Sequence, residues 1–136
     1  MHSEGLNYWA ILVAGAVYFL IGAFWYAKPI FGKAWMDGIG KTEEQLKAQF
    51  SPWKLVWAFI GSIIASYGIA RILSWTPVPN SGSGLITGLL AGVCFVFAAM
   101  TINDVMESRP TKLTAVNCFY HIIGFAVAGL IIGAWR

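Results

Sequence analysis

The sequence predicts an all-α, polytopic integral membrane protein whose four transmembrane helices form a compact left-handed bundle. Of its 136 residues, 58% are apolar, 15% are aromatic and only 11% are charged, whereas a soluble domain carries roughly 25% charged residues. A chain this short cannot bury so many apolar side chains in water. It also contains four apolar windows, each long enough to cross a bilayer as a helix. We therefore expect residues 1–136 to form one four-helix transmembrane domain.

The four predicted spans are defined by where charged residues and prolines interrupt the apolar sequence. The first window ends at Lys28-Pro29, and the second contains a single charge, Arg71, close enough to its end to reach the lipid headgroups. No Lys or Arg precedes the first window and no small-x-small cleavage site follows it, so it is predicted to be a span and not a signal peptide. The predicted spans are about 8–27, 55–75, 85–103 and 113–135.

The distribution of basic residues predicts the orientation. Seven basic residues fall in loops one and three: Lys28, Lys33, Lys41, Lys47, Lys54, Arg109 and Lys112. The opposite side has only Arg71 and Arg136. By the positive-inside rule, loops one and three are cytoplasmic and both termini are extracytoplasmic, in the cell (inner) membrane. The basic residues are too few and too scattered to predict nucleic-acid binding, and the expected partner is the lipid bilayer.

The tryptophans independently favour the same boundaries, because tryptophan is enriched where membrane meets water. Four are predicted near the inner boundary: Trp25, Trp35, Trp53 and Trp57. Three are predicted near the outer boundary: Trp9, Trp75 and Trp135.

Loop one is long enough to contain a helix of its own. Thr42-Glu43-Glu44-Gln45 has the capping-box pattern, in which Thr42 and Gln45 each satisfy a backbone amide of the other. We expect a short amphipathic helix through Phe50 on the membrane surface. Ser51-Pro52 then has the residue types that begin a helix, here the second span.

Small residues recur in every span at spacings of four and seven, which favours close helix packing in a left-handed bundle. The third span has three glycines at four-residue intervals, a longer groove than one neighbour needs, so we predict a homo-oligomer, most simply a dimer, or a contact with another membrane protein. Packing within one monomer is the alternative. The predicted packing residues are Gly15, Gly22, Gly61, Gly68, Gly84, Gly88, Gly92, Gly124, Gly129 and Gly133.

Polar side chains within the third and fourth spans predict a cluster between these two helices, because polar groups in a membrane face the bundle interior. At 100° per residue, Asn117 and His121 share a face with Gly124, and Asn103 shares a face with Gly92. Two interpretations stay open: a pocket that opens to the cytoplasm, or a clamp of interhelical hydrogen bonds worth about 0.6 to 2 kcal/mol each. The predicted cluster comprises Asn103, Asp104, Glu107, Asn117, Tyr120 and His121, with Tyr26 from the first span.

Two sets of residues resemble a known family. The first set lies at the end of the first span and in loop one and consists of Trp25-Tyr26, Phe31-Gly32-Lys33 and Trp35-Met36. The second set lies in the fourth span and consists of Asn117, Tyr120-His121 and Gly124. Together they resemble an uncharacterised family of small four-span bacterial membrane proteins, a domain of unknown function. The resemblance covers nearly the whole chain and implies the architecture without an activity.

The residue pattern favours a function without catalysis. The sequence has no nucleophile–base pair, metal-ligand constellation or phosphate-cradling loop, so we expect no enzyme activity, no cofactor and no metal. The predicted function is that of an accessory or small-ligand-binding membrane protein. The alternative is a small oligomeric transporter or channel for an ion or small polar molecule, although the first span lacks the carboxylate that proton-coupled exporters of this size use.

Overall fold

The structure is a computed structural model that describes residues 5–135, and these residues form helices and turns without a strand. Four helices are long and apolar enough to cross a membrane, as predicted, which indicates an integral membrane protein. The left-handed sense of the bundle stays a prediction. The helices are α1 (Tyr8–Trp25), α2 (Lys33–Ile39), α3 (Glu43–Ala48), α4 (Pro52–Leu73), α5 (Ser81–Met106) and α6 (Thr111–Ala134).

Local sequence sets where these helices begin. The Asn7 side chain accepts a hydrogen bond from the Ala10 amide at 3.1 Å and caps α1. Pro52 occupies the first turn of α4, where its missing N–H costs no hydrogen bond. A capping box starts α5, since the Ser83 amide donates to Asn80 Oδ1 at 3.0 Å and the Asn80 amide donates to Ser83 Oγ at 2.8 Å.

Helix α6 lies at the centre of the bundle and packs against α1, α4 and, most closely, α5. It runs antiparallel to α1. At one end Asn7 Nδ2 donates to the Trp135 carbonyl at 3.1 Å, and at the other Trp25 Nε1 donates to the Val116 carbonyl at 2.9 Å. We call the second end, which also carries α2, α3 and the 107–110 turn, the basic end.

The glycines of α5 allow its backbone to touch that of α6. A Cβ atom built on Gly84 would overlap the carbonyl oxygen of Gly129, and one built on Gly129 would overlap the carbonyl oxygen of Gly84. A Cβ atom built on Gly88 would likewise overlap the carbonyl oxygen of Phe125. This groove, predicted as the contact with a second copy, is therefore filled by α6 of the same chain, and the prediction of that face for a dimer was wrong.

Helix α4 does not pack through its glycines. Its buried face carries Ser62, Ser66 and Ile69. Gly61 and Gly68 each lie one residue before a member of this face and therefore point to one side of it. A Cβ atom built on either glycine meets open space. These two positions, predicted to pack helices, thus make no close contact with any other part of residues 5–135.

Loop one folds back onto the basic end of α6. A π turn over Lys28–Gly32 redirects the chain after α1, and α2 then packs against the start of α6. A Cβ atom on Gly38 of α2 would lie 2.8 Å from Leu113 Cβ, so the two helices are in direct contact there. The loop is thus part of the packed structure at this end.

Helix α3 begins with the capping box of Thr42 and Gln45. The Gln45 amide donates to Thr42 Oγ1 at 3.2 Å, and the Thr42 amide donates to Gln45 Oε1 at 2.9 Å. Lys28 forms an ion pair with Glu43 that ties α3 to the start of the loop. A position of α3 on the membrane surface stays a prediction.

Candidate functional site

The polar side chains inside the bundle form a cluster between α1 and α6. Tyr18 of α1 and His121 of α6 share a hydrogen bond between the phenol oxygen and Nδ1. The Tyr26 hydroxyl donates to Asn117 Oδ1 at 2.8 Å, and the Tyr120 hydroxyl donates to the carbonyl oxygen of Tyr18 at 3.1 Å. We call these five residues the tyrosine cluster. The three hydrogen bonds of this cluster join α1 and its C-cap residue Tyr26 to α6, in addition to the bond from Trp25 to the Val116 carbonyl.

Glycines on the facing helix make room for two of these rings. A Cβ atom on Gly124 of α6 would lie 2.8 Å from Tyr18 Cδ1, and one on Gly22 of α1 would lie 2.6 Å from the Tyr120 hydroxyl oxygen. The relation is reciprocal: each helix contributes one tyrosine and, four residues later, one glycine. Because the helices are antiparallel, each tyrosine lies over the glycine of the other.

Tyr18 is the member of the cluster that sequence reasoning missed. It lies in the middle of the first predicted span, and its spacing from Gly22 repeats the spacing of Tyr120 from Gly124. A phenol in the middle of a span needs a hydrogen-bond partner, and this repeat is the signal that could have identified it.

The third span contributes nothing to the tyrosine cluster. Asn103, predicted to face helix α6, is exposed, and its neighbour Asp104 is buried instead. The cause is a π segment at Gly92–Phe97 within α5. A π turn holds one more residue than an α turn, so every later side chain is rotated by about one position. The uniform rotation of 100° per residue, which placed Asn103 in line with Gly92, does not hold across this segment.

The acidic residues of the predicted cluster form a separate group at the turn between α5 and α6. The Thr114 hydroxyl donates to Asp104 Oδ2 at 2.7 Å. Arg109 Nε lies 2.8 Å from an oxygen of the exposed Glu107 and 3.9 Å from Asp104 Oδ1. Of the seven residues predicted to form one cluster, the structure brings together four: Tyr26, Asn117, Tyr120 and His121. Asp104 and Glu107 lie at the turn, and Asn103 is exposed and belongs to neither group. The expectation of one cluster between helices three and four was wrong: one group joins α1 to α6, and the other closes the turn.

A crevice of about 490 Å³ opens beside the tyrosine cluster at the basic end. Ala23 of α1 and Ala58 of α4 are both exposed, so the crevice reaches the surface between these helices. None of its lining residues is charged. Its walls include Phe19, Ala23, Tyr26, Trp35, Ala58 and Tyr120, and we call it the aromatic crevice.

Three rings of the aromatic crevice meet at steep angles. The Tyr26 and Trp35 ring centroids are 5.4 Å apart with 64° between their planes. The Tyr26 and Tyr120 centroids are 5.5 Å apart with 79° between planes. Rings in this arrangement do not stack flat on one another, and they form differently oriented walls. The hydroxyl hydrogens of Tyr26 and Tyr120 are directed to Asn117 and the Tyr18 carbonyl, which leaves oxygen lone pairs free to accept hydrogen bonds.

One family model matches the chain, over residues 9–133, and the family is described as "Protein of unknown function (DUF1761)". The match confirms the resemblance to an uncharacterised family that the motifs predicted. Neither a curated protein nor a solved structure matches the chain.

Proposed function

The chain belongs to the DUF1761 family of proteins of unknown function, and we propose that it is a non-enzymatic integral membrane protein that binds a small amphipathic molecule in the aromatic crevice. The observation that carries this proposal is an uncharged crevice of about 490 Å³ with aromatic walls. Small-molecule sites are concave and mostly apolar, with a few polar groups that fix orientation. Here the lining residues that carry polar groups are Tyr26, Tyr120 and Trp35.

The tyrosine cluster supports this proposal by holding one wall of the crevice in place. Tyr26 and Tyr120 belong to both the cluster and the crevice, and their hydroxyls are anchored on Asn117 and on the Tyr18 carbonyl. Walls that are fixed before the ligand arrives lower the ordering cost of binding. Hydrogen bonds between helices and a pocket were alternatives at the level of sequence. In this proposal the hydrogen bonds of the tyrosine cluster hold a wall of the aromatic crevice.

We further propose that the basic end is cytoplasmic, so that the crevice lies in the cytoplasmic half of the membrane. The seven basic residues of loops one and three support this orientation. The test is cysteine labelling in intact cells, in a background lacking Cys94 and Cys118. A cysteine at Ser81 should react with an impermeant maleimide, and one at Gln45 should stay protected. External labelling at Gln45 would reverse the orientation.

Photolabelling in lipid nanodiscs tests whether the crevice is occupied. The probe is trifluoromethyl phenyldiazirine, a small lipid-soluble aromatic carbene precursor, and mass spectrometry of the peptides locates the adducts. We expect adducts at Phe19, Ala23 and Ala58 in excess of those at Ile86 and Ile102, which face away from the bundle with exposures of 59% and 65%. Equal labelling at lining and lipid-facing positions would contradict a binding crevice.

A variant that fills the crevice provides the matched control. Ala58→Phe places a ring in the crevice, and we expect it to remove the adducts at Phe19 and Ala23. Ile64→Phe adds a ring on the same helix at a position that is 65% exposed and does not line the crevice. It should leave all adducts unchanged. Equal effects of the two variants would show that labelling depends on α4 in general and would contradict the proposal.

A further inference from the structure

We propose that the occupant of the aromatic crevice is an organic cation of the quaternary ammonium type, held against the rings of Tyr26, Trp35 and Tyr120. This inference rests on the proposed function and names the class of molecule bound. Aromatic faces attract cations within about 6 Å of the ring centroid, most strongly for tryptophan, and quaternary ammonium groups are the usual ligands of such cages. One tryptophan and two tyrosines line the crevice.

The ring geometry fits a cation that several rings surround. Tyr26 meets Trp35 at 64° and Tyr120 at 79°, with centroids 5.4 and 5.5 Å apart. These separations are shorter than the range over which one cation is attracted to a ring face, so a single charge can contact more than one ring. The fourth ring, Phe19, packs edge-on against Phe59 of α4 and extends the apolar wall.

The electrostatics of the wall also favour a diffuse cation. No lysine or arginine lines the crevice, so no cationic side chain stands in its wall, and no aspartate or glutamate lines it either. An inorganic cation or a primary ammonium group would lose strong hydration without gaining a carboxylate. A quaternary ammonium group has no N–H to satisfy and is compatible with apolar walls. The lone pairs of the Tyr26 and Tyr120 oxygens add negative potential beside the rings.

The inference is tested by protection from photolabelling with two molecules of the same shape. Benzyltrimethylammonium carries the charge, and neopentylbenzene replaces the nitrogen by carbon. Nanodiscs of phosphatidylethanolamine and phosphatidylglycerol avoid choline headgroups, and the two competitors are compared at equal concentration in the bilayer. We expect the cation to protect Phe19 and Ala23 from the diazirine at a concentration about tenfold lower than the neutral compound does, as a cation–π contact predicts.

Two tryptophan variants separate a cation cage from a general apolar contact. Trp35→Leu should abolish the preference for the cation and leave protection by neopentylbenzene. Trp53→Leu removes a tryptophan that is 70% exposed at the same end and does not line the crevice, and it should preserve the preference. Equal protection by both competitors, or better protection by the neutral one, would overturn the inference while the crevice remains a binding site. Absence of crevice adducts without any competitor would instead overturn the proposed function.

A quaternary ammonium group can come from a soluble cation or from a choline headgroup of the surrounding lipid. Nanodiscs made of phosphatidylcholine, with no added competitor, distinguish these sources. Since the crevice opens to the surface between α1 and α4, we expect the headgroup to protect Phe19 and Ala23 by itself. If phosphatidylcholine gives no protection and benzyltrimethylammonium still does, the source is a soluble cation and the chemical class stands.

Discussion

The ring of Tyr18 in α1 lies directly over Gly124 in α6, where even a methyl group would lie 2.8 Å from Tyr18 Cδ1. Tyr120 of α6 lies over Gly22 of α1 in the same way. Lipid offers helices no hydrophobic reason to associate, so packing and hydrogen bonds must hold them together. Each glycine lets a tyrosine approach closely enough for its hydroxyl to reach the opposite helix. The glycines and the hydrogen bonds between α1 and α6 are therefore parts of one contact.

Gly124→Ala should destabilise the bundle by about 1–3 kcal/mol, the usual cost of adding a carbon to a filled interior. The new Cβ would press on two carbons of the Tyr18 ring, which is buried and cannot move aside easily. Gly68→Ala is the matched control, because a Cβ there meets open space. Its free energy of unfolding, measured by reversible unfolding in mixed micelles, should not fall and can rise by up to about 1 kcal/mol, because alanine favours a helix more than glycine does. Equal losses for the two variants would contradict the close contact.

The Tyr18–His121 hydrogen bond should appear as a coupling energy in a double-mutant cycle. Tyr18→Phe and His121→Leu each leave one partner unpaired inside the membrane, and the double variant leaves neither. We expect a coupling of about 0.6 to 2 kcal/mol in the free energy of unfolding. Tyr67→Phe, at a tyrosine that is 43% exposed, serves as the control for loss of a phenol. Additive single effects would mean that the two side chains do not stabilise one another.

The four spans were predictable because length and hydropathy alone determine whether a helix can cross a membrane. The tyrosine cluster was predictable in part: Asn117 and His121 were assigned to the inner face of α6 correctly, since no irregularity interrupts that helix between Thr111 and Ala134. Tyr26, the partner of Asn117, was included from the first span, but the remaining partners were assigned to the third span, whereas His121 pairs with Tyr18 of α1. Which neighbour a polar face meets depends on the arrangement of four helices in space, and helical periodicity contains no such information.

The error at Asn103 has a different cause. The π segment at Gly92–Phe97 changes the rotation per residue inside one apolar helix, and no proline or charge marks it in the sequence. The aromatic crevice was not predictable either, because Trp35 and Ala58 approach Tyr120 only through the folding of loop one and α4. Both features are consequences of tertiary packing.

The shifted register of α5 predicts opposite sensitivities at two adjacent residues. Asp104→Ala should lower the free energy of unfolding by about 1–3 kcal/mol, because it leaves the partly buried Thr114 hydroxyl without its acceptor. Asn103→Ala should stay within about 0.5 kcal/mol of the parent, as exposed substitutions usually do. A larger loss for Asn103→Ala than for Asp104→Ala would contradict the π segment and would indicate a regular helix with Asn103 against α6.

The Lys28–Glu43 ion pair predicts an acid-sensitive contact in loop one. The hydrogen bond from Lys28 holds the pKa of the Glu43 carboxyl below its usual value, with a smaller effect of Lys47. A lowered pKa in the folded state means that this contact contributes at pH values above the usual pKa of the carboxyl. The contribution is lost as the pH falls through the lowered value.

Titration of the Glu43 carboxyl by NMR measures this effect. Lys28→Met should raise the pKa of Glu43 towards its usual value, and Lys47→Met should raise it less, because Lys47 Nζ lies 3.5 Å from the carboxylate and its effect is the smaller one. A larger shift for Lys47→Met would show that α3 pairs with its own last turn and not with the start of the loop.

The glycine groove of α5 should respond to substitution as a contact inside one chain. Gly88→Leu would drive a side chain into the Phe125 carbonyl of α6, so we expect loss of the folded state, with a cost above about 3 kcal/mol. Gly61→Leu adds the same side chain to α4 where a Cβ meets open space, and it should fold normally. Light scattering in mild detergent reports the mass of each variant. A Gly88→Leu protein that stays folded but loses half its mass would return this groove to a subunit interface, because only a contact between copies can be lost without unfolding the chain.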